Sequence, residues 1–314
     1  MKVFVAGGSG AVGKPVVREL VVRGHAVVAM TSTDSKRSVL EQLGADVVLG
    51  DALDAQAMIA LVRSVEPEGV VNLASKWSVN PTRVSQVAPA NEIREQGARN
   101  LVAAAVAAGA RRYVNESMMF IYGYGDHPEP LTEGDPPARV KSQGLQRVVD
   151  AVVAAEGAVR EQVEAGEIEG ACVRFGLFHG RHAPSTQLMF DLVRKRRLPL
   201  VGSGETVRSW IELEDAARAV VDVLERAPAG SVYNVVDDEP VTMREYIGEI
   251  VRLTSAKPPR RMPHWLINLG ASYVAAAFGG GRLPVSNGKL KEELGWSPRY
   301  PTYREALGPL VVHA

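Results

Sequence analysis

Short, almost continuously apolar runs alternate with longer stretches of helical period through the first half of the chain. Runs of this kind are what strands buried on both faces look like, and the helices between them supply the crossovers that parallel strands need. The pattern predicts strands at 2–6, 26–30, 46–49, 70–73, 112–115 and 171–175. It predicts helices at 12–23, 35–43, 55–65, 90–108 and 148–165. Gly24, Gly44 and Gly109 each follow an apolar helical run and precede a strand, as C-terminal caps do, and Pro15 falls in a first turn where its missing N–H costs nothing. Residues 123–137, rich in Gly, Pro, Asp and Glu, predict a surface loop. Beyond Phe175 the pattern mixes: helices near 186–197 and 212–225 and from Thr242 and Pro263, with short strands near 199–201 and 232–235. The expectation is an α/β doubly wound parallel sheet over 1–176 and a smaller mixed part over 177–314, interleaved with it.

The first strand runs into GGSGAVGKPVV, which sets Gly7, Gly10 and Gly13 at a G-x-x-G-x-x-G spacing before a helix. The first glycine permits a tight turn, the second lets a diphosphate approach the backbone, and the third lets helix pack on strand. The helix start then offers unpaired N–H groups to the anion. Strand before and helix after is the context that turns a glycine spacing into a Rossmann-type dinucleotide site. Gly7, Ser9, Gly10, Ala11, Val12 and Gly13 are its expected residues. At the end of the second strand, where an acidic residue would accept from ribose hydroxyls, stand Thr31, Ser32 and Thr33, followed by Lys36 and Arg37, with Asp34 late. A 2′-phosphate meets hydroxyls and cations there, so NADP is favoured, with NAD as the alternative.

Composition narrows the partners. Lys plus Arg and Asp plus Glu are 36 each, a net charge of zero that supplies no field for gathering nucleic acid or acidic lipid. No apolar run approaches the roughly 20 residues that span a bilayer. One cysteine, Cys172, excludes an intrachain disulfide and points to a reducing, cytoplasmic setting. A small-molecule substrate is the partner expected, and no metal site is indicated.

The segment VAGGSGAVG resembles the fingerprint of the extended and atypical short-chain dehydrogenase/reductases, the NAD-dependent epimerase/dehydratase-like group, with Ser9 replacing the commoner threonine. LGADVVLGDALD, VVNLAS, NEIREQGARNLVAAAVAAGARRYV, VRSWIELEDAARAV, YNVVDDEPVTMREYI and LKEELGWSPRY follow in the family's order, so the resemblance covers nearly the whole chain. It implies that Asp51 and Ala52 contact adenine and that Leu73, Ala74 and Ser75 line the cofactor, with Phe175 closing the sixth strand beside them. It also implies that Arg208 and Trp210 help to hold the substrate, and that a homodimer forms through helices 90–108 and 148–165.

The chain departs from this family in one respect. Its relatives use a Tyr-x-x-x-Lys unit, the phenol exchanging a proton with the substrate oxygen. Here none of the eight tyrosines has lysine four positions on. Alignment of VVDAVVAAEGAVRE by Glu156 puts Val148 and Val152 in those places. In YVNESMMFIYG, Ser117 is kept, but Met118 takes the position of the usual hydroxyl. Polar residues near strand ends are the candidates to replace the pair. Glu116, Ser117 and Tyr122 are the catalytic candidates, with Tyr124 beyond them. Lys76 and Trp77 after the fourth strand and His179, with Arg181 and His182, after the sixth face the substrate. Alternation places only one of Glu116 and Ser117 in the cleft, and His179 titrates near neutrality if exposed. Three functions stay open: an NAD(P)-dependent epimerase, dehydratase or reductase of a small hydroxylated or carbonyl metabolite; a non-redox isomerase or cyclase with the cofactor as scaffold; and a silent NADP-sensing regulator.

Overall fold

A computed structural model describes residues 1–76 and 81–308 of the chain. Seven parallel strands form one sheet in the order β3-β2-β1-β4-β5-β6-β11: β1 (Lys2–Ala6), β2 (Ala26–Thr31), β3 (Asp46–Leu49), β4 (Gly69–Asn72), β5 (Arg112–Met118), β6 (Glu169–Phe175) and β11 (Val232–Val235). The order reverses between β1 and β4, whose registered neighbours Val5 and Val71 are both fully buried. A crevice at such a reversal is where open α/β sheets bind ligands.

Helices α1 (Gly13–Val22) and α8 (Leu213–Arg226) cover one face, packing on Val3, Val5, Val71, Val114 and Val173. On the other face, α3 (Ala55–Val65), α5 (Ala98–Ala107) and α6 (Gln143–Glu164) pack over Phe4, Val70, Tyr113 and Cys172. Gly24, Gly44 and Gly109 take φ of +81°, +88° and +73°, the left-handed turn that ends each preceding helix.

Four elements differ from the pattern. Strand β5 runs three residues past Asn115, because β6 continues beside it and pairs Glu116 with Val173, Ser117 with Arg174 and Met118 with Phe175. The helix expected over 90–108 is interrupted: α4 (Ala88–Glu92) passes through a π-helical turn, Ile93–Gly97, into α5. Helix α6 starts at Gln143, well before Val148, since Leu145, Val148, Val149 and Val152 form one buried stripe. Gly144 lies in that first turn, and a Cβ there would stand 2.5 Å from Val84 Cγ1. The segment expected as a helix over 35–43 is a 3-10 turn at Asp34–Lys36 and one short helix, α2 (Arg37–Glu41).

The second half leaves the sheet at β7 (Leu177–His179) and returns through α8 and β11. Outside the sheet, α7 (Pro184–Arg194), β8 (Leu200–Val201), β9 (Val207–Arg208) and β10 (Trp210–Glu212) precede α8. After β11 come β12 (Val241–Thr242), α9 (Met243–Thr254), β13 (Arg261–Met262), α10 (His264–Gly270), α11 (Ser272–Gly279) and β14 (Arg282–Leu283). Three small sheets organise this part: β7 with β10, β12-β9-β14, and β8 with β13. Among the described residues no helix is long and apolar enough to cross a membrane.

Candidate functional site

The glycine turn has the form its spacing predicts. Gly7 sits at φ +77°, and a side chain there would strike the Leu73 carbonyl, while one at Gly13 would strike the carbonyl of Gly7. Gly10 N–H donates to the Gly7 carbonyl at 2.9 Å, and a Cβ at Gly10 would meet nothing but that oxygen within 4 Å. Val12 caps α1 without a side-chain hydrogen bond, and no acidic residue lies in the first turn. The amides of that turn therefore face outward with no competing carboxylate, an arrangement that fits the diphosphate of a dinucleotide. Ser9 Oγ lies 3.0 Å from Thr31 Oγ1 and ties the turn to the end of β2.

Around the adenine side, Thr31 is buried, whereas Ser32 and Thr33 are exposed. Arg37 is held away from a free role: its Nε donates to Asp34 at 2.9 Å and its Nη1 to the Val47 carbonyl at 2.9 Å. Asp51 accepts from Leu53 N–H, and the buried Ala52 offers its carbonyl to Asn100 at 2.8 Å. Leu73 is buried behind Gly7, and Ala74 N–H donates to Asn72, which itself donates to Asn115 across to β5. Ser75 and Lys76 are exposed at the mouth; Trp77 lies outside the described residues. Phe175 is buried with its ring 5.0 Å from that of Phe178.

On β5 the alternation separates the catalytic candidates. Ser117 shares the face of Tyr113 and turns toward α6, donating to Glu156 at 2.5 Å. Glu156 is gripped by Arg174 through Nε at 2.8 Å and Nη2 at 2.7 Å, and Arg174 Nη1 donates to the Tyr122 hydroxyl at 2.8 Å. That hydroxyl faces the Thr132 carbonyl at 2.8 Å and Asn234 Oδ1 at 2.9 Å. Ser117, Tyr122, Glu156, Arg174 and Asn234 are all buried. Ser117 and Tyr122 thus belong to a closed network. Burial pushes the Tyr122 phenol up, with Arg174 opposing. Glu116 and Met118 occupy the other face and are only half-buried. Burial raises the Glu116 carboxyl to about 7, with the charge of Arg94 opposing. Val148 and Val152 are fully buried among Phe120, Ile121 and Tyr122.

The substrate candidates are placed differently from one another. Arg208 is fully buried, and its guanidinium donates to the carbonyls of Ala277, Val207, Gly281, Ala276 and Gly280 at 2.6–3.2 Å. All of its hydrogen-bonding capacity is spent on backbone, and burial lowers its pKa to about 10. Trp210 is buried and stacks on Tyr246 at 4.0 Å. His179 is fully buried, which drives its pKa down to about 3, so the exposure on which near-neutral titration depends is not met. Arg181 and His182 are exposed.

Beyond the strand ends, Tyr124, Tyr273, Val87 and Leu131 form an apolar cluster against which Met118, Val84, Leu177, Ala276 and Phe278 are partly buried. A groove of about 560 Å3 opens beside it, lined by Tyr122, Tyr124, His127, Leu131, Arg139 and Lys141 among others. Sequence reasoning missed Glu156, Arg174 and Arg94 as site-shaping residues. Arg174 alone carried a signal, a cation inside an apolar strand.

A model of the family described as NAD dependent epimerase/dehydratase matches residues 3–236. The chain belongs to that family. It is 31% identical to a Streptomyces 3-diazoavenalumate denitrifying reductase over 98% of this chain and 99% of that one. It is 29% identical to the 2-alkyl-3-oxoalkanoate reductase of Stenotrophomonas maltophilia, over 82% of this chain and 76% of that one. Among solved structures, a Thermotoga maritima UDP-glucose 4-epimerase with UDP-glucose superposes with a TM-score of 0.82 at 20% identity, covering 99% of this chain and 97% of that one. A Streptomyces venezuelae dTDP-glucose 4,6-dehydratase with NAD bound gives 0.82 at 22% identity, covering 99% and 96%. These two establish the shared fold, and the family membership marks the chain as an enzyme of the NAD-dependent epimerase/dehydratase kind.

Proposed function

We propose that the protein is an NADP-dependent reductase of a small, flat, electrophilic metabolite, acting on a diazo or diazonium group rather than on a ketone. The observation that carries this reading is a cofactor cradle kept intact in a chain with no tyrosine four residues ahead of a lysine. Reducing a ketone leaves an alkoxide that must take up a proton, and the missing pair is the device for that step. A diazonium carbon framework needs no such donor. Reduced nicotinamide held by the glycine turn would supply the hydride for a net conversion of aryl–N2⁺ to aryl–H and N2, with no proton to be taken up.

The chain's own residues have three tasks in this scheme. The amides of Gly10 to Gly13 hold the diphosphate, and Ser32, Thr33 and Lys36 receive the 2′-phosphate, Arg37 being tied to Asp34. The carboxyl of Glu116, on the same face of β5 as Met118, places negative charge beside a cationic electrophile once ionised. The partly buried Met118, Val84, Leu177 and Ala276 exclude water from it. The similarity to a denitrifying reductase over nearly the full length of both chains supports the choice of electrophile. The commitment of Arg208 to five backbone carbonyls argues against a nucleotide-sugar diphosphate.

The test is anaerobic incubation of purified protein with NADPH and para-carboxybenzenediazonium. Loss of reduced-nicotinamide absorbance matched by equimolar N2 and benzoate is expected. Absence of protein-dependent NADPH oxidation with any aryl diazonium would overturn the proposal.

A further inference from the structure

Exposed apolar side chains are ordinarily scattered singly over a protein surface, and a contiguous group of them marks a contact site. Of the large apolar side chains exposed among the described residues, Val22, Val39, Leu49 and Val153 lie on four other elements, α1, α2, β3 and α6, whereas Trp265, Leu266 and Leu269 share the short helix α10. Trp265 is 65% and Leu269 74% exposed. At about 100° of rotation per residue, the three cover one side of the helix. Ile267, on the opposite side, is its one buried residue and packs with Val201 and Ala275. His264 Nε2 lies 3.2 Å from the Ala275 carbonyl and ties the start of the helix to α11. The outward apolar face is thus held in place by packing beneath it.

Positive charge gathers beside this face. The segment 255–270, which contains β13 and α10, carries Lys257, Arg260, Arg261 and His264 with no Asp or Glu. Strand β13 pairs in parallel with β8, Arg261 standing opposite Leu200, and Leu200 N–H donates to the Arg260 carbonyl at 3.0 Å. The run Arg194, Lys195, Arg196, Arg197 ends three residues before Leu200, so its last member lies within about 10 Å of that pairing. Lys195, Arg196, Arg197, Lys257, Arg260 and Arg261 are exposed, and none has an ion-pair partner among the described residues. Arg252, on the helix before this segment, is by contrast paired with Glu249. Asp191, the carboxylate nearest the run in sequence, lies one turn before it. The zero net charge of the whole chain averages over this corner. Charges act over about 8–10 Å in physiological salt, so a surface that touches the corner meets its local charge.

We propose that α10 and the two basic segments beside it form a docking surface for an anionic lipid bilayer. Trp265, Leu266 and Leu269 enter the boundary between headgroups and acyl chains, a level that indole rings favour, and the cations meet lipid phosphates and carboxylates. A nucleic acid would engage the cations but leave the two leucines without a partner. A second copy of the chain, docked through the same face about a two-fold axis, would set these cations against their own equivalents. An anionic bilayer matches both halves of the surface, the charge and the apolar arc. The proposal is independent of the reductase reading.

The experiment sediments the purified full chain with lipid vesicles, either phosphatidylcholine alone or phosphatidylcholine with an equal amount of phosphatidylserine. The protein should bind the anionic vesicles at least about tenfold more tightly than the neutral ones, and added salt should release it. Arg260→Gln combined with Arg261→Gln should weaken that binding about 25-fold, about fivefold for each charge. Trp265→Ala combined with Leu269→Ala should weaken it by at least about tenfold. Val22→Ala, a change at an equally exposed apolar position on α1, should leave it unaltered. No binding to anionic vesicles overturns the proposal, as does equal binding to the two compositions or binding that survives either double variant. Tighter binding to polyuridylate than to anionic vesicles, lost with Arg260 and Arg261 but kept without Trp265 and Leu269, would assign the corner to RNA and overturn it as well.

Discussion

Arg174 and His179 stand on the same short stretch of chain, one at the end of β6 and one at the end of β7, yet their buried surroundings are opposite. Around Arg174 every charge has a partner: a bidentate grip on Glu156, a donor to Tyr122 and a serine hydroxyl completing the carboxylate. Around His179, neither ring nitrogen finds a hydrogen bond among the described residues, nor does the indole N–H of Trp210. The nearest carboxylate oxygen, on Asp237, is 3.6 Å from Nε2. A fully satisfied polar network in a low-dielectric interior fixes geometry, and an unsatisfied one stores a cost that pH can reach. The first network sits directly behind Glu116 and Met118, so it holds the strand end that carries the candidate chemistry. The second lies in the core of the smaller part, among Trp210 and Tyr246.

The largest effect should come from breaking the satisfied network. Arg174→Met leaves the Glu156 carboxylate buried without its counter-charge, and should cost about 3–5 kcal/mol of unfolding free energy in urea titrations. Adding Glu156→Leu should recover part of that loss, because removing both charges also removes the desolvation cost. A double variant no more stable than Arg174→Met alone would mean that the pair is not the source of the loss.

The unsatisfied cluster is sharpened by pH rather than by deletion. His179 is pushed from 6.5 down to about 3 by burial. Below pH 6.5 the unfolded chain binds a proton there that the folded chain refuses until about pH 3. Stability should therefore fall as the medium is acidified across that window, by about 1.4 kcal/mol per pH unit from this group. Asp237 works in the opposite sense: burial raises its folded pKa, so its contribution favours the folded state at low pH and is lost as pH rises. His179→Phe, which keeps the stacking on Trp210, should flatten the acid limb in denaturation curves run between pH 7 and about 5. An unchanged slope would show that His179 does not control it.

The same contrast explains what could be read from sequence. Strand 2–6 coincides with β1, because a strand between two helical layers has no polar register to blur its limits, and 46–49 coincides with β3 at the sheet edge. The glycine turn was equally legible, since its chemistry is backbone chemistry carried by local spacing. The end of β5 was less so: the apolar run stops at Asn115, and only the pairing with β6 carries the strand on through Glu116 and Ser117. Alternation indicated that one of the two faces the cleft, but the choice is made by Glu156, 39 positions along the chain, and by Arg174. Arg94 was invisible, because a regular helical period does not anticipate a π-helical turn. Arg208 and His179 were found as polar residues in the right segments, and only tertiary packing shows the first spent on carbonyls and the second sealed in the core.

The smallest change asks the most direct question of the satisfied network. Tyr122 stands where a catalytic phenol was a candidate, but its hydroxyl accepts from Arg174 and faces the Thr132 carbonyl and Asn234. A general acid at that position would contribute about 10²–10⁴ in rate, and its pKa would be drawn toward neutrality. Burial instead pushes this phenol up. Tyr122→Phe keeps the ring beneath the Arg174 guanidinium, which lies 5.1 Å from its centroid, and removes only the hydroxyl. The expected result is a loss of about 1–2 kcal/mol in stability, the cost of one buried donor left short of an acceptor, with kcat for NADPH oxidation changed by less than about threefold. A hundredfold fall in kcat without a matching fall in stability would move Tyr122 out of the network that positions β5 and into the chemistry itself.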